Sequence, residues 1–131
     1  MSIMVAYDGS SASKDALKLA VVHAKAFDDE IEVVRAEEDS EGLEYSSIER
    51  LEKKLAKEVK ALLNGDAIRY TTTLLVSSST AGEEIVRHLG VKNSREICMG
   101  VRRRSKVGKL LFGSTAQYII LNAPCPVATI R

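Results

Sequence analysis

Five short runs along the chain are rich in β-branched residues and too short for helices. They are IMVAY at residues 3–7, IEVVRA at 31–36, TTTLLV at 71–76, EICMGV at 96–101 and PVATI at 126–130. Between them the apolar positions recur with a helical period. Ala16, Leu17, Ala20, Val21 and Ala24 form one stripe, and Ile48, Leu51, Leu55, Val59 and Leu62 form a second that stops at Asn64-Gly65. Thr80-Ala81-Gly82-Glu83 reads as a capping box that opens a third, shorter helix closing near Gly90. Ser114 with Gln117 opens a fourth, which carries Ile119, Ile120 and Ala123 inward and stops before Pro124.

Strands that alternate with helices, none joined by a two-residue hairpin turn, imply right-handed crossovers and a mainly parallel sheet covered on both faces. The expected architecture is α/β, a three-layer sandwich. The segment 37–46, where acids, Ser and Gly separate the second strand from the second helix, is expected to be loose.

Length and composition narrow the function classes. A chain of 131 residues with 45% hydrophobic content suits a single domain spanning residues 1–131 with one buried core. No apolar run reaches the roughly 18 residues of a membrane helix, and MSIMVAYDGS lacks the basic and apolar regions of a signal peptide. The expectation is a cytoplasmic protein without a membrane partner. Cys98 and Cys125 read as buried small apolar residues rather than a disulfide pair. A net charge of +1 favours neither nucleic acid nor a membrane surface, but Arg102, Arg103, Arg104, Lys106 and Lys109 stand together with no acid among them.

In open parallel sheets, ligands bind beyond the carboxyl ends of the strands, where strand order reverses. After the first strand come Tyr7-Asp8-Gly9-Ser10, a carboxylate followed by flexible backbone. After the fourth comes Gly100, where the missing Cβ would let a ligand approach the main chain. Gly113-Ser114-Thr115 then opens a helix, and its free amides and dipole make an anion site. Together these suit a nucleotide. Singly each has a plainer reading: Asp8 as a cap of the first helix, Gly100 as a tight strand exit, and Gly113 with Ser114 as an ordinary helix start.

Other chemistry finds little support. His23 and His88 lie within helical patterns, and no Cys or acid stands at metal-ligand spacing from either, so no metal site is expected. Neither a G-x-S-x-G elbow nor a Walker motif is present, and the serines of SSAS and SSST have no positioned base.

The order AYDGS, four alternating strand–helix units, Gly100-x2-Arg103-x9-Gly113-Ser114 and the ending NAPCPVATIR together resemble the universal stress protein family. The resemblance covers the whole chain, and its nucleotide-binding branch has glycine where this chain has Arg103. It implies a five-stranded parallel sheet in the order 3-2-1-4-5, similar to flavodoxin-like and adenine nucleotide alpha hydrolase-like folds, and a homodimer through the C-terminal strand. It also implies ATP or a related adenine nucleotide, with Mg2+ as companion ion, held as a regulatory ligand. Asp8 and Gly100 would meet the ribose, Gly113, Ser114 and Thr115 the phosphates, and backbone near Ala36 the adenine.

The arginines admit three meanings. They form a solvated face, or Arg103 clamps the phosphates in place of the family glycine, or the run contacts a nucleic-acid backbone. The last is disfavoured, since the chain has no Trp, only two Phe and little net charge. The expected role is that of a stress-response protein rather than an enzyme, with unknown protein clients. A dimeric interaction module without nucleotide is the alternative, and slow ATP hydrolysis a third reading.

Overall fold

Every apolar run becomes a strand and every amphipathic stretch a helix in the computed structural model, which describes residues 1–39, 42–101 and 112–131. In chain order the elements are β1 (Ser2–Ala6), α1 (Ser11–Phe27), β2 (Glu30–Glu38), α2 (Tyr45–Leu62), β3 (Tyr70–Ser77), α3 (Ala81–Lys92), β4 (Glu96–Gly100), α4 (Ser114–Asn122) and β5 (Val127–Ile130). All strand pairs are parallel, in the order β3-β2-β1-β4-β5. This is the order that the family resemblance implies.

Alternation along the strands sends neighbouring side chains to opposite faces, and two apolar clusters result. Ile3, Val5 and Cys98 join Leu17 and Ala20 of α1 and Leu55 and Val59 of α2 on one face. Met4, Ile97 and Met99 join Ile85 and Leu89 of α3 and Ile119 of α4 on the other. The result is three layers. Ile3, Met4 and Val5 are all 0% exposed, and at about 1.5–3 kcal/mol for each fully buried side chain β1 anchors both clusters. Among the described residues no helix is long and apolar enough to cross a membrane.

Several boundaries differ from the sequence expectation for identifiable reasons. The segment expected to be loose is shorter, because Glu37 and Glu38 continue β2 by pairing with Val76 and Ser77 of β3. Ladder hydrogen bonds outweigh the acidic composition there. At the end of α2 the inward position is the cap residue Leu63, 5% exposed, whereas Leu62 is 37% exposed; the stripe steps by four from Leu55 through Val59. Gly90 does not close α3, which runs on to Lys92 and ends where Asn93 takes a left-handed conformation, φ 52°. Thr80 does cap α3, accepting the Glu83 amide at 3.3 Å. In α4 the cap is Gly113 and Ser114 is the first helical residue, so the expected Ser114 cap is absent. Ile120, expected inward, is 41% exposed, because a helix of nine residues turns one of two adjacent isoleucines outward.

Candidate functional site

β1 and β4 are neighbours in the sheet but lead to crossovers on opposite sides, so their carboxyl ends flank the point where strand order reverses. A cleft of about 260 Å³ opens there. Asp8, Ala36, Gly100, Gly113, Ser114 and Thr115 all line it, so six residues spread over more than a hundred positions in sequence meet in one place. The seventh, Arg103, lies outside the described residues, as do Arg102, Arg104, Lys106, Gly108 and Lys109. Ile85, Met99 and Ile119 supply an apolar wall to the same cleft. The sequence reading did not name them as site residues, although their inward direction was available from the helical and strand periods.

The β1–α1 connection is fixed by its own polar groups. Gly9 takes φ 85°, a left-handed conformation natural to glycine. The Ser10 amide donates to Asp8 Oδ1 at 2.9 Å, and Ser10 Oγ in turn accepts the Ser13 amide at 3.2 Å. Asp8 thus shapes the turn, and Ser10 rather than Asp8 caps α1. Beside them the Tyr7 hydroxyl donates to Glu58 Oε2 at 2.9 Å. Burial, then the Glu58 carboxylate, pushes its pKa up to about 12.

Helix α4 begins differently. Gly113 makes no side-chain cap, and the first bond of the helix runs from the Gln117 amide to the Gly113 carbonyl at 3.0 Å. The amides of Ser114, Thr115 and Ala116 therefore have no partner within the helix, and all three residues line the cleft. Gly113 itself has φ −67° and ψ 163°, which any residue adopts, so the backbone does not require glycine there. Gly100 is the reverse case. A Cβ on it would stand 2.5 Å from the Ala12 carbonyl carbon and Cβ, so the first turn of α1 needs the glycine in order to rest on the end of β4.

Both histidines face carboxylates across the fold. His88 Nε2 lies 2.8 Å from Glu32 Oε2, which also accepts the Thr73 hydroxyl at 2.8 Å. His23 Nδ1 is hydrogen-bonded to Glu96. Sequence spacing gave no sign of either pair, since 56 and 73 residues separate the partners.

The profile of the Universal stress protein family matches residues 1–131. A Thermus aquaticus protein, "Universal stress protein in QAH/OAS sulfhydrylase 3'region", is 32% identical over 136 residues, covering 99% of this chain and 98% of its own. Among solved structures, a universal stress protein from Archaeoglobus fulgidus superposes with a TM-score of 0.85 at 28% identity, over 100% of this chain and 98% of that one. The universal stress protein from Archaeoglobus fulgidus in complex with dAMP gives a TM-score of 0.82 at 24% identity, with coverage of 100% and 98%.

Proposed function

The chain belongs to the universal stress protein family, and from that premise we propose that its cleft binds ATP or a related adenine nucleotide, whose occupancy acts as a regulatory signal. One observation carries the reading: the start of α4, where Gly113 supplies no side-chain cap, opens into the same cleft as Asp8 and Ala36. Amides with no partner within the helix, at its positive end, are ready donors to phosphate oxygens. Ile85, Met99 and Ile119 offer an apolar surface for the flat base, and Asp8 a carboxylate for the ribose hydroxyls. The cleft formed by the described residues, about 260 Å³, lies near the lower end of the volumes of small-molecule sites. The dAMP held by the Archaeoglobus fulgidus neighbour is that protein's ligand, and its chemical class is the one proposed for this chain.

Asp8 is the only carboxylate among the described lining residues, so an accompanying Mg2+ would be held chiefly by phosphate and water. The signal would pass by linkage: nucleotide favours one arrangement of the surface around the cleft, and partners read that arrangement. The assembly we propose is a homodimer through β5, an edge strand whose outward backbone groups can pair with a second copy. The alternative, a dimeric interaction module without nucleotide, draws support from the contact with Ala12, which accounts for Gly100 without any ligand.

The deciding experiment is calorimetric titration of the full chain with ATP, AMP and GTP, alongside chromatography of the small molecules released when freshly purified protein is denatured. Saturable adenine-selective binding, or co-purified adenine nucleotide, supports the reading. Heats indistinguishable from dilution, with no nucleotide released, overturn it in favour of the interaction module.

A further inference from the structure

The opposite end of β4 from the cleft brings three metal-ligating side chains together. Glu96 and Cys98 are two residues apart on the strand and so project to one face. That face is covered by α1, which supplies His23. The imidazole Nδ1 is hydrogen-bonded to Glu96 Oε1, and the Cys98 thiol donates to the same oxygen at 3.5 Å. All three donor atoms lie within 4.8 Å of one another.

The set is graded in depth. Cys98 is 0% exposed, whereas the side chains of Glu96 and His23 are 13% and 31% exposed, so the histidine forms the outer wall. Burial pushes the Cys98 thiol well above its ordinary range, so it has none of the thiolate character of a redox or nucleophilic cysteine. The neighbouring cation, Arg95, has its main partner elsewhere: its guanidinium pairs with the buried Asp29 carboxylate, with a lesser attraction to Glu96, and lies 4.6 Å above the Phe27 ring. Phe27 in turn sets its ring edge against His23, with centroids 6.3 Å apart. That contact limits where the imidazole can swing.

We propose that His23, Glu96 and Cys98 form a three-donor site for a borderline divalent cation, zinc(II), with the fourth position open to solvent beside His23. One nitrogen, one oxygen and one sulfur are the donor types that zinc accepts. On binding, the metal displaces the Cys98 thiol proton to solvent, and the resulting thiolate together with the Glu96 carboxylate cancels the charge of a divalent ion. Bonds of about 2.0–2.3 Å in a tetrahedron put donor atoms about 3.3–3.6 Å apart, and the Glu96 oxygen and Cys98 sulfur already stand at 3.5 Å. Binding also requires His23 Nδ1 to draw away from Glu96, exchanging that hydrogen bond for the metal within the space the Phe27 ring leaves it.

The test is titration of the chelator-treated full chain with cobalt(II), a spectroscopic stand-in for zinc. The expected result is one cobalt per chain, with visible bands of tetrahedral intensity and a near-ultraviolet sulfur-to-cobalt charge-transfer band, all discharged by zinc(II). Cys98→Ala should remove the charge-transfer band, and Cys125→Ala should leave it in place. His23→Gln alters a half-exposed residue and tests the site even if Cys98→Ala fails to fold; affinity should drop about tenfold or more. A wild-type chain without the charge-transfer band overturns the proposal. So does a band that survives Cys98→Ala, one that vanishes with Cys125→Ala, or an affinity unchanged by His23→Gln.

Discussion

The hydroxyl of Tyr7 donates to the Glu58 carboxylate at 2.9 Å and ties the end of β1 to the C-terminal part of α2. Its pKa, raised from 10.0 to about 12 chiefly by burial, makes the tie dependent on pH. A phenol whose folded pKa exceeds its unfolded value contributes stability that is complete below the unfolded pKa and disappears as pH rises through the folded one. We expect unfolding free energy to fall between pH 10 and about 12. Tyr7→Phe should cost about 1.5–3 kcal/mol at neutral pH, as for a hydrogen bond to a charged group, and should flatten that alkaline decline. Urea denaturation at a series of pH values checks both; an equal decline in wild type and variant would remove Tyr7 as its source.

Gly100→Ala should destabilise the free protein by about 1–3 kcal/mol or more, because the added methyl overlaps the Ala12 backbone and neither element can move cheaply. Thermal unfolding without nucleotide measures it. A glycine kept only for ligand approach would give a variant of unchanged stability.

Gly113→Asp should move stability and affinity in opposite directions. The backbone at 113 already has cap geometry, so an aspartate can accept the first amides of the helix and stabilise the free protein by a few tenths to about 1 kcal/mol. The same carboxylate would repel phosphate, and nucleotide affinity should fall sharply. Calorimetry and thermal melts on one preparation separate the two effects, and unaltered affinity would exclude the α4 start as the phosphate site.

If Arg103 clamps the phosphates, Arg103→Ala should weaken ATP by about 1.5–3 kcal/mol, as for a lost hydrogen bond to a charged group. AMP should lose less. Titrations with the two nucleotides give the comparison, and equal affinities in wild type and variant would assign Arg103 to a solvated face.

Thr129→Pro tests the dimer without removing the strand. The Pro126 and Ile130 carbonyls accept the Ile97 and Val101 amides of the β4 side at 3.0 and 2.8 Å, so by alternation the backbone of Thr129 faces away from β4. Proline there deletes an outward donor and spares the ladder. Light scattering should report a monomer with a near-native melt; a persisting dimer would move the interface off β5.

The order of elements was legible because β-branched runs and helical stripes carry independent signals, and the cleft was legible because strand ends are where parallel sheets hold ligands. Choices between adjacent apolar residues were not. Leu62 or Leu63, and Ile119 or Ile120, differ by one step of a period that short helices sample too few times. The cap of α4 was misread because serine is the stronger cap by preference, yet the chain enters the helix one residue earlier at Gly113. The His23–Glu96–Cys98 cluster had no local signature at all. Its members are brought together by the crossover that lays α1 on β4, and a glutamate at a strand start reads by itself as an exposed end.

The contact between Gly100 and Ala12 changes what this glycine can tell a reader of related chains. Selection would hold it in a lineage that had abandoned its ligand, because losing it unseats a helix. A fingerprint scored on that letter therefore records ancestry of the scaffold. The letter at 113, which the backbone leaves free to vary, is the one whose drift would record a change of occupation.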